Sequence, residues 1–288
     1  MVFLTFVKQS SPSPSVNLLH DSSLNVRYMK VTAFVGSARR KHTYLNTERF
    51  LQHLQKLGDV EYEIVVLSDY NLKICRGCKL CLDKGEELCP LRDDRDLLLE
   101  KIQQSDGVVF ASPNYSFQVS GQMKVFLDRL GFLFHRPGFF GKTCTSIVAQ
   151  GVYGGKKIVK YLDFVGGALG FNVVKGCVIK TLEPLAEEDR KKTEALIEKQ
   201  SKRYYQELVK QACPAPSLLK LMLYRMSRTS MNMMLDESFR DYTYFTEKGW
   251  FESDYYYPVK LGPVKKMMGR MFDFTAKRMA VRNEAAHI

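Results

Sequence analysis

Lys30–Tyr44 reads KVTAFVGSARRKHTY. Val31 to Val35 is an apolar, β-type run. It breaks at Gly36-Ser37, offers Arg39, Arg40, Lys41, His42 and Thr43, and passes into a helical pattern from Tyr44. A strand, a tight turn and a helix N-terminus together make an anion site. The first amides of a helix have no internal partner, and the helix dipole favours negative charge there. On this reading Gly36 lets the backbone approach a guest, Ser37 and Thr43 add hydroxyl donors, and Arg39 adds a planar cationic fork. A phosphate is the natural guest. The spacing matches neither the dinucleotide fingerprint GxGxxG nor the Walker loop GxxxxGK(S/T). The plain alternative is a βα turn that binds nothing.

Outward from this stretch the chain alternates. Leu45, Phe50, Leu51, Leu54 and Leu57 fall at helical spacing, ended by Gly58. Glu61–Leu67 reads as a second strand, Gly107–Ala111 as a third, Thr143–Ala149 as a fourth and Phe171–Ile179 as a fifth. Helices are predicted after an Asp93-Asp94 cap and over Gln122–Phe134, Lys156–Leu169 and Glu187–Gln211. The third strand, GVVFA, is apolar without alternation, as in a strand buried on both faces. The pattern predicts an α/β fold: a doubly wound, five-stranded parallel sheet of order 2-1-3-4-5 with helices on both faces. Ligands of such sheets bind at the carboxyl ends of the strands. Residues 36–43, 68–92, 112–121 and 150–155 each follow a strand, so all four loops are expected on one rim.

The two ends differ from this middle. Residues 1–28 are rich in Ser and Pro around Ser10–Ser15, and MVFLTFVK makes a poor signal peptide. They are expected to be a disordered or non-native, dispensable extension, with Met29 as the natural start of a 29–212 domain. Residues 213–288 are expected to form a Met-rich, basic helical extension. Leu218–Met234 and Val264–Val281 are amphipathic and flank an aromatic cluster around Trp250. Such helices pack on the sheet domain or on a second subunit, or they lie on a membrane surface.

Composition narrows the classes. The net charge of +12 invites nucleic acid or an anionic membrane. The charge is spread along the chain, however, and no nucleic-acid motif accompanies it. A solvated surface plus an anionic cofactor accounts for it, so no nucleic-acid partner is expected. No uninterrupted apolar run is long enough to span a bilayer. Of the seven cysteines, Cys75, Cys78, Cys81 and Cys89 cluster, while Cys144, Cys177 and Cys213 are scattered. A chain of 288 residues does not need a disulfide framework. The cluster therefore points to metal or redox chemistry in a reducing, cytoplasmic compartment. Four thiols at this spacing suit an iron–sulfur cluster, a structural zinc, or a loop of free thiols.

After the third strand the chain reads Ser112-Pro113-Asn114-Tyr115-Ser116-Phe117, then Ser120-Gly121-Gln122-Met123-Lys124 and Phe126-Leu127-Asp128-Arg129. Together with the GS-x-R turn followed by Thr43 and the glycine-rich Gln150–Gly155, this resembles the NADPH-dependent FMN reductases of the flavodoxin-like superfamily. The resemblance covers about Lys30–Gln211. It implies a flavodoxin-like fold with bound FMN. The FMN phosphate would sit on Ser37, Arg39 and Thr43, with His42 or Tyr44 assisting. Pro113, Asn114, Tyr115, Ser116 and Phe117 would line the ribityl chain and ring. Gln150, Gly151, Tyr153, Gly154 and Gly155 would cover the other side. The flavin carries the hydride chemistry, so no indispensable catalytic side chain is expected.

The run Cys75-x2-Cys78-x2-Cys81-x7-Cys89 resembles the iron–sulfur flavoproteins, a branch of the same superfamily. That resemblance implies a 4Fe–4S cluster on those four residues. Two functions are therefore expected to compete. In one, NAD(P)H reduces FMN, which reduces a quinone, a flavin or a similar small acceptor. In the other, cluster and FMN pass single electrons between ferredoxin-like protein partners. A homodimer or a dimer of dimers is expected, with 214–288 contributing to the contact.

Overall fold

The computed structural model of the chain describes residues 28–184 and 186–286, with side chains as far as Arg282. The expectation for 1–28 lies, Tyr28 apart, outside the described residues. In chain order the elements are β1 (Met29–Val35), α1 (His42–Gln55), β2 (Val60–Val66), α2 (Leu80–Asp83), α3 (Arg95–Gln103) and β3 (Gly107–Pro113). There follow α4 (Gly121–Arg129), β4 (Thr143–Gln150), α5 (Gly155–Ala168), β5 (Asn172–Val173), β6 (Cys177–Lys180) and α6 (Glu187–Leu208). A helical extension of α7 (Leu218–Met234), α8 (Arg240–Glu247) and α9 (Pro263–Ala286) completes the described chain.

The strands are parallel and run in the order β2-β1-β3-β4-β5, with β6 also paired to β4. This is the doubly wound, flavodoxin-like arrangement read from the sequence. β1 shows why it forms. Val31, Ala33 and Val35 pack with Phe50, Leu51, Leu54, Ile197 and Tyr204 beneath α1 and α6. Phe34, between them, points the other way and packs with Leu98, Ile102, Phe126 and Leu162 of α3, α4 and α5. Each large apolar side chain buried in this way contributes about 1.5–3 kcal/mol.

The fifth strand differs from expectation. It is interrupted between Val173 and Cys177, and both pieces pair with β4. Gly176 lies in the break. A side chain there would come within 1.9 Å of Ser146 Oγ and 2.4 Å of the Ser146 carbonyl oxygen. Its amide donates instead to Asp163 Oδ1 of α5 at 3.2 Å. The backbone thus turns in against β4, where a side chain would prevent it, and rejoins the ladder at Cys177.

The extension has its own aromatic centre, formed by Leu221, Tyr224, Phe245, Trp250, Tyr255 and Leu261. Tyr224 donates its hydroxyl to the Trp250 carbonyl at 2.6 Å, and Trp250 Nε1 donates to the Tyr256 carbonyl at 2.9 Å. The cluster meets the sheet region through Phe140, stacked on Tyr256 at 5.2 Å. α9 packs along α7, and α8 packs against both α7 and α2. Among the described residues, no helix is long and apolar enough to cross a membrane.

Candidate functional site

The loops after β1, β3, β4 and β6 meet at the carboxyl end of the sheet and enclose a cavity of about 530 Å³. That size suits an organic ligand. Ser37, Arg39, His42 and Thr43 form one side, Pro113, Asn114 and Tyr115 a second, and Gly151 a third. Eight of the residues named from sequence are thus brought together.

The first side is an anion cradle. α1 begins at His42 with no side-chain cap and no acidic residue in its first turn. Its first amides and its dipole therefore face the cavity unspent. The two neighbouring arginines behave differently. Arg40 Nη2 pairs with Asp69 Oδ2 at 2.9 Å, and its guanidinium lies over Tyr44, 5.8 Å from the ring centre. The Arg39 carbonyl accepts from Ser37 Oγ at 3.1 Å, but its guanidinium lines the cavity with no hydrogen-bond or ion-pair partner among the described residues. Tyr44 is therefore engaged with Arg40 and lies outside the cavity lining.

Gly36 also has a packing role. A side chain on it would lie 2.6 Å from Ser120 Oγ and 2.8 Å from Met123 Cβ. Its smallness lets the first turn seat against the start of α4, where Ser120 accepts from the Met123 amide at 3.2 Å and caps the helix. Gly36 sets the spacing between two rim loops.

The second and third loops latch onto each other. Ser116 and Phe117 hold φ of 50° and 62°, forming the tip of a tight turn closed by paired hydrogen bonds between Tyr115 and Gln118. The turn throws Phe117 against Tyr153, with ring centres 5.0 Å apart. Asn114 Nδ2 donates to the Tyr153 carbonyl at 2.8 Å. Asn114 Oδ1 is buried and has no hydrogen-bond partner among the described residues, which leaves an acceptor for a ligand donor. Gln150 Oε1 accepts from the Gly155 amide at 2.6 Å, so Gln150 and Gly155 shape the loop from behind. Gly154 has Phe117 over it, 3.0 Å from where a side chain would begin. Ser116, Phe117, Gln150, Tyr153, Gly154 and Gly155 thus support the cavity without lining it.

Lys41, Leu45, Ala149, Thr181 and Glu183 also line the cavity, although the sequence reading assigns none of them to the site. Thr181 donates Oγ1 to the Gln150 carbonyl at 3.1 Å, and Glu183 pairs with His42 Nε2 at 3.2 Å. Thr181 and Glu183 follow β6. The rule that ligands gather where strands end applies to the last strand as well, and it is the signal that would have found them.

The cysteine loop lies beside this rim and is built differently. Its base is a buried ion pair: Arg129 Nη2 and Nε donate to the two Asp93 carboxylate oxygens at 2.9 and 3.0 Å. Arg129 Nη1 donates to Cys89 Sγ at 3.3 Å. Burial pushes the Cys89 thiol up, but the hydrogen bond at Leu91 and Arg129 more than offset this, leaving it below the ordinary thiol value. Cys81 is held above that value by burial and by the charges of Cys75 and Cys89. Arg136, also buried, donates to the Cys81 carbonyl at 2.7 Å and to Glu86 Oε2 at 2.8 Å, and it pairs with Asp241 of α8. His135 Nδ1 lies 2.7 Å from the other Asp241 oxygen. Cys75 and Cys78 are exposed, Cys81 is half-buried and Cys89 is buried. Among the described residues, no three His, Cys, Asp or Glu side chains gather as a metal cage requires. The four cysteines, as placed here, do not fit the 4Fe–4S cluster expected from the sequence.

The model for the NADPH-dependent FMN reductase family matches residues 29–181. The chain is 36% identical over 181 residues to an iron–sulfur flavoprotein of Archaeoglobus fulgidus, covering 58% of this chain and 77% of that protein. It is 30% identical over 185 residues to an iron–sulfur flavoprotein of Clostridioides difficile, covering 61% and 78%. Among solved structures it is similar to RosB with bound 8-demethyl-8-formylriboflavin-5'-phosphate. The TM-score is 0.54 at 15% identity, over 82% of this chain and 92% of that one. At that identity the likeness speaks of fold alone.

Proposed function

Because the chain belongs to the NADPH-dependent FMN reductase family, a family of flavin oxidoreductases, we propose that it holds FMN in the rim cavity and passes electrons from NAD(P)H to a small acceptor such as a quinone or a flavin. The observation that carries this reading is what the cavity leaves unspent. Among the described residues the Arg39 guanidinium has no partner and Asn114 Oδ1 has no donor, and the first amides of α1 have no side-chain cap. A cation with free amides matches a phosphate. A buried acceptor matches an N–H on the ligand. When bound, FMN supplies the hydride chemistry. The chain's own residues bind and orient. Ser37, Arg39, Thr43 and the start of α1 hold the phosphate, and Pro113 and Tyr115 offer a flat wall. Tyr115, Phe117, Val152 and Tyr153 remain exposed around the opening, so reductant and acceptor have access in turn. A second copy of the chain covering part of this rim belongs to the proposal.

A second reading comes from the relatives' names rather than from this structure, whose four cysteines are not gathered as a cluster requires. The relatives named above are called iron–sulfur flavoproteins, and this chain carries four cysteines in the loop beside the cavity. Single-electron exchange with a ferredoxin-like partner would then replace reduction by nicotinamide. The seven free thiols suit a reducing compartment, and we place the protein in the cytoplasm on that ground.

The test is an anaerobic titration of the full chain with FMN, followed by NADPH and then a quinone. The expected result is a yellow complex, bleached by NADPH and recoloured by the quinone. A protein that stays colourless with FMN sinks the proposal. Reduction by ferredoxin but not by NADPH, with iron and sulfide in the purified protein, selects the second reading.

A further inference from the structure

α9 presents a face that nothing in the described molecule covers. Val264, Met267, Met271, Phe274 and Val281 recur at intervals of three, four or seven and stand 48–64% exposed. Such spacing places them in one row. At 1.5 Å per residue the row is about 25 Å long. It points away from the packing face, where Gly269, Ala276 and Ala280 are buried. Arg278 fills the remaining place in the row, its guanidinium 4.6 Å from the Phe274 ring centre.

The charges beside the row have one sign. Between 263 and 282 the chain has Lys265, Lys266, Arg270, Lys277, Arg278 and Arg282, with Asp273 as the single carboxylate. Asp273 is spent inward: Arg228 Nη2 and Thr229 Oγ1 donate to it at 2.7 and 2.8 Å. Lys265 donates to the Pro216 carbonyl at 2.7 Å. Lys266, Arg270, Lys277, Arg278 and Arg282 remain exposed. A helix with an apolar row between exposed cations is built to lie in the plane of an anionic bilayer, its apolar side chains at the acyl boundary and its cations among headgroups.

We propose that α9 docks the protein on an anionic lipid surface without crossing it. Charge selects this occupant over a second copy. A two-fold contact along the row, centred near Phe274, would bring Arg270 against Arg278 and Lys266 against Arg282, and like charges so juxtaposed oppose association. A lipid surface rich in phosphatidylglycerol meets the same residues with opposite charge. This proposal does not rest on the flavin reading and survives its failure.

The experiment is co-sedimentation of the full chain with vesicles of phosphatidylcholine alone or mixed with phosphatidylglycerol. The mixed vesicles are expected to carry the protein down, with release on raising salt, and the neutral ones are not. Two surface variants separate the contributions. Met271→Glu with Phe274→Glu removes the apolar row, and Arg270→Ala with Lys277→Ala removes flanking charge. Each pair is expected to weaken binding about tenfold or more, with the circular dichroism spectrum unchanged. Equal binding by the variants, equal binding to neutral vesicles, or no binding overturns the proposal. So does a vesicle-free dimer that Met271→Glu with Phe274→Glu dissolves, because the face would then belong to a second copy.

Discussion

The Arg39 guanidinium lines the rim cavity with no partner among the described residues, whereas Arg129 is buried and spends its guanidinium on Asp93 and Cys89. The same contrast runs through the two regions around them. At the rim, α1 begins uncapped and Asn114 Oδ1 is orphaned. In the cysteine loop, Asp93 also accepts from the Lys73 amide at 3.0 Å, and Arg136 is shared among Cys81, Glu86 and Asp241. A region whose polar groups are saturated holds shape. A region that leaves them unspent has them to give to a ligand. Proximity to the strand ends does not separate the two, but hydrogen-bond accounting does.

If this is right, the largest loss of stability comes from the saturated region. Removing one member of a buried, hydrogen-bonded ion pair costs about 3–5 kcal/mol. Asp93→Ala is therefore expected to lower the urea midpoint sharply, since it strands Arg129 in the interior. The effect of pH follows from the same pair. Burial alone would raise the Asp93 carboxyl, but Arg129 and the amides of Lys73 and Arg95 hold it below its ordinary value. The stabilisation is present above the unfolded-state value and is lost as pH falls through the lower, folded one. Asp93→Asn should lack that acid-dependent step in a plot of stability against pH. A variant as stable as the parent would show that the loop is not held from its base.

The unsaturated region should respond in ligand affinity. Arg39→Ala removes a charge-assisted contact to phosphate, about 1.5–3 kcal/mol or roughly ten- to a hundredfold in the FMN dissociation constant. The stability of the ligand-free chain should barely change. Arg40→Ala is the control, because its exposed pair with Asp69 and its place over Tyr44 lie outside the cavity. Equal loss of FMN affinity in both, by fluorescence quenching, would erase the distinction between spent and unspent arginines.

Sequence made the sheet legible because its signals are local: an apolar run, a break, a helix start, repeated. It also named most of the cavity lining, through loops that follow strands. What it missed depends on distance in space. KVTAFVGSARRKHTY contains two adjacent arginines, and only Asp69, on the far side of β2, separates their roles. The interruption of the fifth strand depends on Ser146 in β4, thirty residues earlier in the chain. Cysteine spacing gave a ligand set, but placement in the loop depends on Arg129, Arg136 and α8, all remote in sequence. Gly36 packs against the start of α4, a contact that no local pattern announces. Gly36→Ala tests this: the added carbon would meet Ser120 and Met123 below van der Waals distance. Overpacking of this kind costs about 1–3 kcal/mol. Stability should fall even without FMN, and an effect confined to FMN affinity would count against the packing role.

The smallest effect belongs to the latch between the second and third loops, where both regions' rules meet. Phe117 and Tyr153 stack while remaining 55% and 66% exposed. Their contact therefore contributes little to folding, and its value lies in holding the mouth of the cavity. Tyr153→Ala removes a ring pair worth about 0.5–1.5 kcal/mol beyond area burial, while the Asn114 bond to the backbone carbonyl at 153 is retained in principle. The urea midpoint should move little, and FMN should dissociate a few times faster. Phe117→Ala should match it, and the double variant should add nothing further, as expected for partners in one contact. Additive losses would mean that each ring touches the ligand separately and that the cavity extends past Gly151 to Gly154.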